Sequence, residues 1–322
     1  MQVHFYAWVI TIAMMSVLLA LDVFVIGRRP HVPSLTEAGV MVGVFVALAI
    51  LFGAGVWVVG GPIYGKEFYA GWLTEYSLSV DNLFIFLLIM EKFRVPARLQ
   101  QYALLVGIIL ALVFRGVFIG LGAAMISTMA WVFFIFGAFL IYTAVDLVRD
   151  YRDQGAAEDD ATENLVMRFV RRTFPTSEHF DGTRLVVGER GRRRATQMFI
   201  VIVALGTTDV MFALDSIPAI YGLTQQPYLV FTANVFALMG LRQLYFLLGG
   251  MLKRLVYLPL GLAVILGFIG LKLVLHAVHH YDLDAGWAVP TEVSVELSLL
   301  VIVVTLVVTI VASLVRSRSR SS

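Results

Sequence analysis

Four carboxylates stand where a sequence rarely leaves them. Glu75, Asp81, Asp209 and Asp215 fall deep inside apolar stretches long enough to cross a membrane. A carboxylate near the bilayer centre costs roughly 2.5–3.5 kcal/mol on insertion scales, so one persists where it is paired, protonated or in use. The four come as two pairs of equal spacing, Glu75-Tyr-Ser-Leu-Ser-Val-Asp81-Asn82 and Asp209-Val-Met-Phe-Ala-Leu-Asp215-Ser216. With Ser77, Asn82, Thr208 and Ser216 beside them they form an all-oxygen donor set. Such hard ligands suit Mn²⁺, Mg²⁺ or Ca²⁺ rather than copper or zinc.

Three basic residues also lie inside apolar stretches: Arg115, Arg242 and Lys272. Each acid pair is followed in the next stretch by an arginine, so these cations are the expected charge partners. Pairing for helix assembly alone is the competing explanation, but three cations leave one carboxylate over, and all seven charges must still be desolvated. Six residues of helix give about 9 Å of rise and about 120° of rotation, so the two acids of a pair do not share one stripe. In antiparallel contact the registers match, allowing Glu75 to face Asp215 while Asp81 faces Asp209. Pro218 cannot donate to the carbonyl of Leu214, which frees an oxygen beside Asp215, and broken helices with freed carbonyls are a way to coordinate cations in membranes.

The elements that must position these groups follow from composition. The chain has 322 residues, 60% hydrophobic and 14% charged, against about half apolar and a quarter charged in soluble domains. A span takes about 20 apolar residues. Nine are expected, at Ala7 to Ile26, Val40 to Val59, Gly71 to Met90, Tyr102 to Ala124, Ala130 to Val148, Met198 to Ile220, Leu229 to Met251, Leu255 to Leu275 and Val295 to Val315. The fold class is thus all-α, a polytopic membrane protein. The absence of cysteine excludes disulfides, thiolate zinc sites and cysteine nucleophiles. No nucleic-acid partner is expected, and the net charge of +2 says little by itself.

Basic residues orient the chain, because short cytoplasmic loops hold the excess Lys and Arg. Twenty of the 24 follow odd-numbered spans and only Lys66 sits in an even loop, which predicts the N-terminus outside and the C-terminus inside. Met1 to Tyr6 lacks a basic stretch and no cleavage site follows, so the first span is expected to be retained. The third span then runs inward and the sixth outward. Three spans from each make an inverted 3+3 repeat, the arrangement that sets a transporter's site near the midplane. The expected organisation is 1–69, two N-terminal helices; 70–148, the first three-helix repeat; 149–197, a cytoplasmic loop; 198–276, the second repeat; and 277–322, an outer loop, a last helix and a basic tail.

The stretches Glu75 to Asn82, Asp209-Val-Met-Phe-Ala-Leu-Asp215-Ser216-Ile-Pro218-Ala-Ile, Phe236-Ala-Leu-Met-Gly-Leu-Arg242-Gln-Leu-Tyr245-Phe and Gly267-Phe-Ile-Gly-Leu-Lys272 together resemble the TerC family of bacterial integral membrane proteins. That family was first associated with tellurium resistance, and its members include manganese exporters of the Alx type. The resemblance covers roughly Ala70 to His276. It implies a helical transporter, multi-pass in the bacterial cytoplasmic (inner) membrane and exporting Mn²⁺, with Glu75, Asp81, Asp209 and Asp215 as the metal-binding acids. It also makes the secretion machinery a candidate partner. One departure is Thr196-Gln197, where a Thr-Pro start to the sixth span is expected.

Other features carry less. Gly60 to Lys66 imitates the start of a phosphate loop, but Glu67 stands where Ser or Thr should hold magnesium. His276, His279 and His280 with Asp282 and Asp284 read as a polar outer loop. Asn164 to Phe174 has the pattern of an interfacial helix. The twelve methionines are scattered and read as packing. With no His-Glu-x-x-His, an intramembrane zinc protease is not expected, nor is enzyme activity of any kind. The expected function is secondary export of a divalent cation, Mn²⁺ first, through carboxylates of the third and sixth spans, without a prosthetic group. The alternative is a non-transporting membrane module of a metal-stress or secretion-associated complex.

Overall fold

The computed structural model describes residues 3–28, 34–129, 131–152, 180–189, 192–248, 255–281 and 293–319. The expected interfacial helix at Asn164 to Phe174, and Asp282 and Asp284, lie outside them. Ten helices and one short hairpin are present among the described residues: α1 (Phe5–Arg28), α2 (Leu35–Gly60), α3 (Pro62–Lys92), α4 (Ala97–Thr128), α5 (Val132–Arg152), β1 (Val186–Glu189), β2 (Arg192–Ala195), α6 (Gln197–Tyr221), α7 (Pro227–Leu238), α8 (Leu241–Leu248), α9 (Leu258–His280) and α10 (Val295–Ser319). Among the described residues eight stretches are long and apolar enough to cross a membrane, and the first of the nine expected spans falls in α1, of which Phe5–Leu18 is the apolar part described.

Local sequence explains the helix ends. Ser34 caps α2 by accepting from the Glu37 amide at 3.2 Å. Gly61, at φ 104°, turns the chain sharply, and Pro62 starts α3 where its missing N–H costs nothing. α3 therefore begins nine residues before the expected Gly71, which brings Lys66 and Glu67 into the helix. Thr196 caps α6, accepting from the Phe199 amide at 3.3 Å and donating to the Arg184 carbonyl at 2.6 Å, so the Thr-Gln sequence starts the helix without a proline. From the expected cytoplasmic loop, the end of α5 and this hairpin with its flanks are described, with β1 and β2 antiparallel.

The helix interruption falls elsewhere than Pro218 suggested. α6 continues through Pro218 to Tyr221, whereas the next span breaks at Met239–Gly240 into α7 and α8. Gly240 sits at φ 81°, and a Cβ there would meet the Phe45 ring at 3.0 Å. The broken span is the most deeply buried of the candidates.

Apolar residues face outward as well as inward, as bilayer contact requires. Val58 and Val59 on α2, Val113 and Val117 on α4, and Val303, Val304, Val307 and Val308 on α10 are all exposed. Inside, α5 lies along α9, α3 along α7 and α4 along α6, while α3 also meets α6 and α4 meets α7. This set is unchanged when α3 is exchanged with α6, α4 with α7 and α5 with α9.

Candidate functional site

Midway along α3 and α6, five polar side chains from four helices converge in the apolar interior. Arg115 on α4 is the centre. One of its terminal nitrogens, Nη1, is ion-paired with Glu75 Oε1 on α3. The same nitrogen donates to Asn234 Oδ1 on α7 at 2.9 Å and to Ser216 Oγ on α6 at 3.3 Å. The other, Nη2, reaches Asp209 Oδ1 on α6 at 3.4 Å. None of the five is more than 2% exposed.

Helical periodicity explains why these and not their sequence neighbours meet. Seven residues bring a helix back to within about 20°, so Glu75 and Asn82 share a stripe on α3, and Asp209 and Ser216 share one on α6. Ser79, four residues from Glu75, joins the first stripe; it is fully buried and its Oγ has no hydrogen-bond partner. Asp81 and Asp215, turned about 120° away, are both only partly buried. Asp215 accepts from Thr143 Oγ1 on α5 at 3.4 Å. The expected facing pairs, Glu75 with Asp215 and Asp81 with Asp209, are thus replaced by Glu75 with Asp209 on one guanidinium.

The remaining expected residues divide. Ser77 is buried with its Oγ unpartnered, but it lies about 200° around α3 from Glu75. Thr208 is partly buried beside Asp209, while its neighbour Thr207 bonds back to the Val203 carbonyl at 2.8 Å. Arg242 is buried at the start of α8, just past the break. Lys272 is away from the four acids: it donates to Ser298 Oγ on α10 at 3.1 Å. His276 is engaged with Gln225 at 3.2 Å and lies edge-on to Phe133.

Asn234, Thr143 and Ser79 are functional candidates that sequence reasoning passed over. An amide buried in a span was the available signal for Asn234, since it must find partners; Thr143 and Ser79 carry none, as hydroxyls are ordinary in membrane helices.

The network is electrostatically incomplete. Two carboxylates share one guanidinium, and Glu75 Oε2 and Asp209 Oδ2 are buried without hydrogen-bond partners. Buried anionic oxygens with free lone pairs are unfavourable unless a cation or donor meets them. Both acids are arranged around the one arginine. Their acceptors are all oxygen, the donor type that hard cations take.

Comparison with known proteins gives a consistent set of relatives. A family model described as "Integral membrane protein TerC family" matches residues 61–321. "Uncharacterized membrane protein Rv2723" of Mycobacterium tuberculosis (strain ATCC 25618 / H37Rv) is 45% identical over 291 residues, 89% of this chain and 73% of the relative. "Uncharacterized membrane protein STKORF319" of Myxococcus xanthus is 41% identical over 268 residues, 83% of each chain. "Putative membrane-bound redox modulator Alx" of Escherichia coli (strain K12) is 36% identical over 275 residues, 82% of this chain and 84% of the relative. No solved structure matches.

Proposed function

The chain belongs to the TerC family of integral membrane proteins, and from that premise we propose that it is a secondary transporter exporting a divalent cation, Mn²⁺ first, across the bacterial cytoplasmic membrane. The observation that carries the reading is the mid-helix network in which Glu75 and Asp209 share Arg115. It supplies what a carrier needs: a counter-charge that holds the acids when no ion is bound, and two carboxylates with free oxygens for when one is. Asn234 and Ser216 hold the guanidinium in place and can accept it as it shifts. Asp81 and Asp215, less buried, are the acids by which an ion approaches or leaves this centre.

The exchange-invariant helix contacts support the inverted repeat, since two equivalent three-helix units about a two-fold axis would pack in this way. The broken span with Arg242 at its second start supports a carrier as well, because discontinuous helices recur at such sites. The basic-residue count orients the start of α3 outward. The role is that of a carrier rather than an enzyme, and a link to the secretion machinery rests on the family resemblance alone.

The Alx relative's name points to redox modulation. With no cysteine, this chain has no thiol chemistry of its own to carry such a role. The test is flux from purified protein in liposomes across Mn²⁺, Ca²⁺, Mg²⁺ and Zn²⁺. Mn²⁺ movement that Asp209→Asn and Glu75→Gln abolish is the expected result. A scaffold whose charges serve only assembly would move no ion.

A further inference from the structure

A groove of about 560 Å³ runs between α5 and α9, lined by none of the residues that meet at Arg115. About one helical turn before Ile141, its first lining residue on α5, the two helices touch. A Cβ on Gly137 would meet the Gly270 carbonyl oxygen at 2.8 Å, and one on Gly270 the Gly137 oxygen at 2.9 Å. Past that contact small side chains leave the space between the helices unfilled: Ala144 on α5, Ala263 and Gly267 on α9. The rim is apolar and faces the outside of the bundle, with Val145, Val148 and Val264 all exposed. Arg149 and Arg152 line the groove at the end of α5, both exposed, and neither is ion-paired with another described residue.

We infer that this groove seats one anionic phospholipid of the inner leaflet, its phosphate on Arg149 and Arg152 and an acyl chain along the apolar rim. The length fits. Ile141 to Arg152 is eleven residues, about 16 Å of rise, against about 15 Å for half of a ~30 Å hydrocarbon core. A lipid covers that depth, whereas a partner helix would span both leaflets. Lining positions on α5 recur three and four residues apart, so the arginines and the apolar rim share one face. Three residues set the two arginines about 4.5 Å apart along the axis and about 60° around it, close enough to take one phosphate together. Guanidinium forks match phosphate oxygens bidentately. By the basic-residue count this end of α5 is cytoplasmic, the side where basic pockets between spans meet anionic headgroups. The Tyr151 and Tyr257 rings, 6.2 Å apart, lie at the ends of the same two helices, as aromatic side chains do at headgroup level. Such a site needs only the membrane placement, whether or not the protein carries an ion.

Helix-end arginines also serve topology without holding a particular lipid, and the two uses respond differently to substitution. Native mass spectrometry counts the lipids retained by the purified full chain when it is offered equal amounts of phosphatidylglycerol and phosphatidylcholine with the same acyl chains. Wild type, the double variant Arg149→Gln/Arg152→Gln, and Val264→Trp are compared, each first checked for monodispersity. The site requires wild type to keep one phosphatidylglycerol per chain, preferred about tenfold or more over phosphatidylcholine. The double variant loses that preference. Val264→Trp loses it as well, because the indole fills the groove while both arginines remain; Val264 is 55% exposed, so a larger side chain has room. Val145→Trp repeats this from the other wall. A wild type without preference overturns the site, and so does a preference that the double variant leaves intact. A preference that both tryptophan variants leave intact marks surface charge alone and overturns it equally. A wild type that pairs with a second copy and separates on Val264→Trp makes the groove a subunit contact instead.

Discussion

Glu75 on α3 and Asp209 on α6 are held by the two terminal nitrogens of one guanidinium, that of Arg115. The equivalent acids of two similar motifs therefore meet at a single cation, while the second acid of each motif, Asp81 or Asp215, is turned away and less buried. Two carboxylates on one arginine leave net negative charge in the apolar interior. A divalent ion in its place would bring that sum to zero.

Removing the cation should expose this imbalance. Taking one partner from a buried ion pair typically costs about 3–5 kcal/mol. Arg115→Met is expected to lower the thermal unfolding temperature sharply, and millimolar Mn²⁺ to restore more of it than the same addition gives wild type. Equal Mn²⁺ effects on both proteins would show that ion and arginine do not compete for the acids.

All four acids should be needed for flux. Asp209→Asn and Glu75→Gln are expected to reduce Mn²⁺ flux to background while the protein still inserts. Asp81→Ala and Asp215→Ala are expected to abolish efflux as well, through loss of the approach to the centre. Measured initial rates in liposomes decide this, and normal efflux from either of the last two variants removes those acids from the path.

Asn234 offers a change of charge at nearly constant shape. Asn234→Asp adds a third carboxylate to the guanidinium, so Mn²⁺ binding should tighten by about tenfold or more while the metal-free protein loses stability. Titration of the purified variant checks the first and thermal unfolding the second. An unchanged affinity would mean that the amide only positions Arg115.

The break between α7 and α8 should be sensitive to a single methyl group. Gly240→Ala places a side chain at φ 81° and against Phe45, and the left-handed conformation alone costs roughly 1–2 kcal/mol. A fall in unfolding temperature is expected. An alanine variant as stable as wild type would mean that the break relaxes without cost.

Thr196→Ala serves as a contrast. It removes the cap of α6 and the bond to the Arg184 carbonyl, at a cost of about 1 kcal/mol for the cap. Stability should fall, with flux per folded molecule unchanged, because the cap lies one helix end away from the acids. A loss of flux at constant folded yield would place the α6 start within the transport cycle.

The amino-acid sequence by itself determined that the chain is a bundle of membrane helices and which side chains are charged inside it. Both follow from local chemistry: in lipid each helix must satisfy its own backbone, so long apolar runs are enough to mark spans. The six-residue acid spacing likewise implied that the two acids of a motif diverge. Tertiary structure decided which charges meet. Glu75 shares Arg115 with Asp209 and not with Asp215, Lys272 donates to Ser298, and the break lies at Gly240 rather than Pro218. Those outcomes depend on the rotation and register of packed helices, set by contacts such as Phe45 against Gly240, which no single stretch of sequence contains. The position of Glu67 was hidden for a related reason. The Gly61–Pro62 turn lets α3 begin immediately after α2, and that places a residue from an expected loop on the same helix as Glu75.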